Sequence, residues 1–89
     1  MENNLDRVME EICLDPAVLG CLFADQQGLC IGSKGQASNE TSGYITAIAN
    51  QVAKLEPNSK MPVVTLENEN QICMIQKADT ITGAIYKKL

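Results

Sequence analysis

The stretch "GLCIGSKG", Gly28 to Gly35, holds three glycines and a Ser-Lys pair, the materials of a loop that cradles phosphate. The spacing argues against that chemistry. A Walker A loop needs G-x-x-x-x-G-K-[ST] running from a strand directly into a helix. Here Ser33 separates Gly32 from Lys34, and Gly35 follows the lysine where Ser or Thr is required. A dinucleotide fingerprint needs G-x-G-x-x-G, and its second glycine would fall on Cys30. Gly32 and Gly35 also precede the next helix by several residues. The structural reading is that Gly28 closes a turn, Gly32 relieves crowding in a strand and Gly35 starts a loop. Leu29 and Ile31 then pack into a sheet, and Ser33-Lys34 guard an outer edge.

Other chemistry has little to stand on. The chain has no histidine, so the commonest general base is missing and a cysteine nucleophile would lack its partner. Cys13, Cys21, Cys30 and Cys73 form no C-x-x-C pair, which argues against zinc. The last three sit in apolar runs, where free cysteine serves as a small core residue. They read as reduced thiols in a reducing compartment, with disulfides as the alternative. Glu67 and Glu69 read as a solvated strand end. No enzyme activity, cofactor or metal is expected.

The chain's 89 residues are expected to form one small domain, residues 1–89, which buries only about two-thirds of its unfolded surface. The net charge of −4 argues against nucleic acid or an anionic membrane as a direct partner. The acidic start "MENNLDRVMEE" lacks the apolar region of a signal peptide. No apolar run is long enough to span a bilayer, so direct membrane insertion is not expected.

Periodicity supplies the elements that position these residues. Leu5, Val8, Met9 and Ile12 share one helical face; Asn3 or Asn4 can cap it and Asp15-Pro16 stops it. "VLGCLFAD" is apolar on both alternating faces, as in a central strand. "DQQG" is a turn and "LCIG" resumes the strand pattern, making a hairpin. In "SNETSGYITAIANQVAKLEP", Ile45, Ile48, Ala49, Val52 and Leu55 or Glu56 trace a second helix, with Ser38 as cap and Pro57 as stop. After the linker "NSKMP", the stretches "VVTLEN", "QICMIQK" and "ITGAIYKK" form a three-strand meander. These elements predict an α+β domain with a five-stranded antiparallel sheet. Strands one and five are the most apolar and belong in the centre; strands two and three suit the edges.

Association is the remaining function. "PVVTLEN" carries no positive charge and has adjacent valines, so it looks like an edge that expects a partner. The second helix has a small, mildly polar face of Gly43, Tyr44, Ala47, Gln51 and Lys54. That face is either a sparsely charged solvent face or a site of close approach by another chain. Together with Val63, Val64, Thr65, Leu66 and Glu67, those residues could form one continuous interface.

"VLGCLFADQQGLCIGSKG", the "AIANQVAKL" helix and "PVVTLENENQICMIQKADTITGAIYKK" resemble the roadblock/LC7 superfamily, in particular its short Ragulator-type members, over nearly the whole chain. The resemblance implies a helix–hairpin–helix–meander fold that pairs through its second helix and third strand. Larger relatives carry a further C-terminal helix, which is not expected here because the sequence stops at Leu89, just after the last strand. The resemblance also implies a non-catalytic scaffold, cytoplasmic and peripheral on the lysosomal membrane. Its partners would be a second short roadblock subunit, a lipid-anchored wrapping subunit and, through the assembled complex, Rag GTPases that support activation of the TOR kinase by amino acids. A dynein light-chain-type homodimer binding an intermediate chain is the alternative within the superfamily. A nucleotide or small-molecule sensor is the alternative from another class.

Overall fold

The computed structural model describes residues 4–55, 57–58 and 62–89. Asn3 as a cap, Glu56 in the helical stripe and Ser59 to Met61 of the linker lie outside the described residues. The elements run α1 (Asn4–Ile12), β1 (Val18–Ala24), β2 (Cys30–Gly35), a 3-10 turn (Asn39–Thr41), α2 (Ser42–Leu55), β3 (Val63–Glu67), β4 (Gln71–Ala78) and β5 (Ile81–Lys88). The strands form one antiparallel five-stranded sheet in the order β2-β1-β5-β4-β3. β5 is therefore central with β1 beside it, and β2 and β3 are the edges, as their polarity predicts.

Local chemistry sets each connection. Asp15 Oδ1 accepts the Ala17 amide at 2.9 Å, turning the chain from α1 into β1. Asp25 Oδ1 accepts the amides of Gln27 and Leu29, and Gly28 closes that turn at φ 87, a conformation costly for residues with a Cβ. Asn68 Oδ1 accepts the amides of Asn70 and Gln71 between β3 and β4. Between β4 and β5, Asp79 takes φ 60, the left-handed region that Asp tolerates in tight hairpins.

α2 packs across β1, β5 and β4, while α1 packs chiefly on β1 and β2 on the other face. Under α2, Leu22, Ala84, Ile75, Ile45 and Ala49 form the buried cluster, flanked by half-buried Cys30, Ile48, Val64, Cys73 and Tyr86. The Ser42 hydroxyl donates to the Gly28 carbonyl at 2.8 Å, pinning the start of α2 to the first hairpin. Ser38 caps the 3-10 turn rather than α2 itself, its Oγ accepting the Glu40 amide.

Three expectations are corrected. Leu29 and Ile31 do not pack into the sheet; they are 64% and 41% exposed. The β1–β2 pairing shifts register between Phe23 and Ala24, and a bulge of this kind reverses which residues face inward. Cys30 points under α2 instead, and Gly32 faces α1. Leu55 continues the apolar stripe of α2 but is 77% exposed, because α2 contributes nothing to the buried cluster beyond Ala49. Val8 is also exposed, leaving Met9 as the buried residue of α1.

Candidate partner-binding surfaces

The glycine-rich stretch lies on the β2 edge. Lys34 reaches Glu10 of α1 at 3.9 Å, and the α-helix that follows starts only at Ser42. Gly32 provides space rather than a phosphate cradle: a Cβ there would meet Met9 Cε at 2.8 Å and Leu5 Cδ2 at 3.0 Å. Among the described residues, no group of three His, Cys, Asp or Glu side chains could hold a metal ion. No helix among them is long and apolar enough to cross a membrane.

The residues of the second-helix face are all exposed: Gly43, Tyr44, Ala47, Gln51 and Lys54. Tyr44 stands out at 75% exposure, a large aromatic ring with little of this chain around it. A Cβ added at Gly43 would meet nothing within 4 Å outside its own helix, so that side of the glycine is open to a close-approaching chain. On β3, Val63, Thr65, Leu66 and Glu67 are exposed, and among the described residues the strand pairs only with β4. Its other edge keeps its backbone groups available for pairing.

Register divides the β3 residues. Val64 pairs with Ile75 and Leu66 with Cys73, which places both on the side of the sheet that carries α2. Val63, Thr65 and Glu67 point to the opposite side. The two patches therefore share a side of the sheet only in part: Leu66 and Val64 lie on the side that carries α2, and Val63, Thr65 and Glu67 do not. Val64 packs against the buried cluster, so it anchors β3 to the core and is less free to bind than its neighbours.

A third surface lies on the side of the sheet opposite α2. α1 leaves the β5-β4-β3 half of its face bare, and an open apolar groove of about 400 Å³ lies there. Ile12 of α1 and Phe23 of β1 meet Met74, Ile81, Ile85 and Val63 along its walls. The signal was present in "QICMIQK" and "ITGAIYKK", which are apolar on both faces although a single helix can cover only one. Tyr86 and Cys73 lie on the other side, where burial raises the pKa of each above its ordinary value. Neither is ready to act as a base near neutrality.

A family model described as Ragulator complex protein LAMTOR5 matches residues 1–87. The chain is 39% identical over 88 residues to the Ragulator complex protein LAMTOR5 of Xenopus tropicalis, covering 98% of this chain and 97% of that protein. Among solved structures, the roadblock/LC7 domain from Streptomyces avermitilis superposes with a TM-score of 0.81 at 10% identity, over 93% of this chain and 77% of that one. MglB of Myxococcus xanthus superposes with a TM-score of 0.79 at 16% identity, over 97% and 76% of the two chains. At those identities the likeness establishes the roadblock/LC7 fold alone.

Proposed function

The chain belongs to the Ragulator complex protein LAMTOR5 family, and from that premise we propose that it is a non-catalytic scaffold subunit of a Ragulator-like complex. It acts as one roadblock domain over residues 1–89, cytoplasmic and peripheral on the lysosomal surface through its partners. The assembled complex recruits Rag GTPases and supports amino-acid-dependent activation of the TOR kinase. The observation that carries the reading is the combination of a near full-length family match with an unpaired β3 edge and an exposed Tyr44–Ala47 face.

Pairing with a second short roadblock subunit uses Gly43, Tyr44, Ala47, Gln51 and Lys54 of α2 with Val63, Thr65, Leu66 and Glu67 of β3, and Val64 supports the strand from behind. Adding a strand at β3 would satisfy its outer backbone groups, and Tyr44 would supply a rigid aromatic anchor. The apolar groove takes the wrapping, lipid-anchored subunit, since it lies on the face opposite α2, and the two partners approach each other at Val63, which lines the groove and belongs to the β3 edge.

The test is co-expression with the second roadblock subunit. Tyr44→Asp combined with Ala47→Glu changes only exposed positions, so the variant should keep a native circular dichroism spectrum and lose co-purification. Survival of the complex with both changes would show that the dimer forms elsewhere. A stable homodimer of the isolated chain at micromolar concentration, measured by light scattering, would favour the dynein light-chain type of assembly.

A further inference from the structure

We propose that Cys13 and Cys21 form a reversible redox site, which a small disulfide of the glutathione class converts to an intramolecular bridge that clamps α1 onto the sheet. The two sulfurs lie 4.0 Å apart, and both thiols are free. Cys13 is the first residue after α1, held at the helix end by its amide donating to the Met9 carbonyl at 3.0 Å. Cys21 lies in β1, with no exposed surface. The other two cysteines are on the opposite side of the sheet, packed against the cluster under α2, and Cys30 donates to the Gly32 carbonyl instead. The pairing is thus decided by which side of the sheet each sulfur occupies.

A disulfide needs an S–S separation of about 2 Å, so the sulfurs must close by about 2 Å. The chain from Leu14 to Pro16 is exposed and can absorb that movement, while β1 is held between β2 and β5. The order of events also follows from burial. Cys13 is half-buried and reachable; Cys21 touches no solvent. Burial and the neighbouring Cys13 push the Cys21 thiol up to about 11, so it stays protonated near neutrality and does not make the first attack.

In the first step Cys13 loses its proton and its sulfur attacks the glutathione disulfide. One glutathione leaves as a thiolate and takes up a proton, and the other stays bound to Cys13. In the second step Cys21 gives up its proton and attacks the Cys13 sulfur, expelling the second glutathione, which is protonated in turn. Two cysteine thiols are oxidised and one glutathione disulfide is reduced to two thiols. Reduced glutathione in excess reverses both steps. Ile12, which lines the apolar groove, immediately precedes Cys13, so the bridge fixes that wall of the groove and ties its shape to redox state.

The experiment incubates the full chain with oxidised glutathione and follows intact mass. The native protein should lose the mass of two hydrogens and carry no stable adduct. Cleavage before Asp15 and Asp25 separates Cys13, Cys21 and Cys30 onto different peptides, and the bridge should join the first two. In Cys21→Ala the glutathione adduct on Cys13 should persist at least about tenfold longer than in the native chain. In Cys13→Ala, Cys21 should gain no adduct while the protein stays folded. A stable adduct on native Cys13, direct modification of Cys21 in Cys13→Ala, or a bridge to Cys30 or Cys73 would overturn the proposal. Should Cys21→Ala fail to fold, the native peptide map and the Cys13→Ala measurement decide it.

Discussion

Replacing Gly20 with alanine should be far more damaging than the same change at Gly32, although both glycines sit in the first hairpin. At Gly20 the new Cβ would stand 2.6 Å from the Lys34 carbonyl oxygen, 2.7 Å from the Gln36 nitrogen and 2.8 Å from the Ala37 nitrogen. All of these are backbone atoms of the segment leaving β2, and none can rotate away. Relief requires the chain after β2 to move outward by roughly half an ångström or more, an overpacking cost of about 1–3 kcal/mol. That movement also stretches the bond from the Gln36 amide to the Leu19 carbonyl, now 2.9 Å, worth about 1 kcal/mol. The sum is about 3 kcal/mol. At Gly32 the obstructing atoms are the ends of the Met9 and Leu5 side chains, which can change rotamer, so the cost should stay below about 1 kcal/mol. Urea unfolding followed by circular dichroism measures both. With a slope of about 1 kcal/mol per molar, the Gly20→Ala midpoint should fall by about 3 M and that of Gly32→Ala by less than about 1 M. Equal shifts, or a larger one for Gly32→Ala, would refute the argument that the rigidity of the obstructing atoms decides the cost.

Other outcomes follow from the same structure. The Cys21 thiol is neutral when protonated and its pKa rises from 9.0 unfolded to about 11 folded, so its contribution is fully present below pH 9 and is lost as pH rises through 11. Denaturant titrations at successive pH values should show stability falling between about pH 9 and pH 11, and the fall should be smaller once Cys13 and Cys21 are bridged, with Cys73 and Tyr86 left to supply the remainder. Ile81→Asp places a charge in the apolar groove; it should leave pairing with the second roadblock subunit intact and weaken binding of the wrapping subunit by about tenfold or more, read by calorimetry. Leu22→Ala, at a side chain with no exposed surface, should cost about 2–5 kcal/mol in urea unfolding without changing which partners are bound by the residual folded protein.

The sequence by itself determined the elements and their order, because hydrophobic period and turn chemistry are local. Ile45, Ile48 and Ala49 announce α2, and strands apolar on both faces announce the centre of a sheet, with "PVVTLEN" left for an edge. Only the tertiary structure decided what depends on atoms distant in the chain. The register shift at Phe23/Ala24 turned Leu29 and Ile31 outward, because one extra residue inverts an alternation that reads smoothly in sequence. Pairing with Ile75 made Val64 a core anchor, while neighbouring residues of the same composition stayed exposed. The limited reach of α1 left the apolar groove open on half of one face, and the fold placed Cys13 against Cys21. "GLCIGSKG" itself came out as an edge strand whose Gly32 makes room for Met9 and whose Lys34 meets Glu10. Its composition suggested phosphate chemistry; the physical demand on it is close packing under a helix.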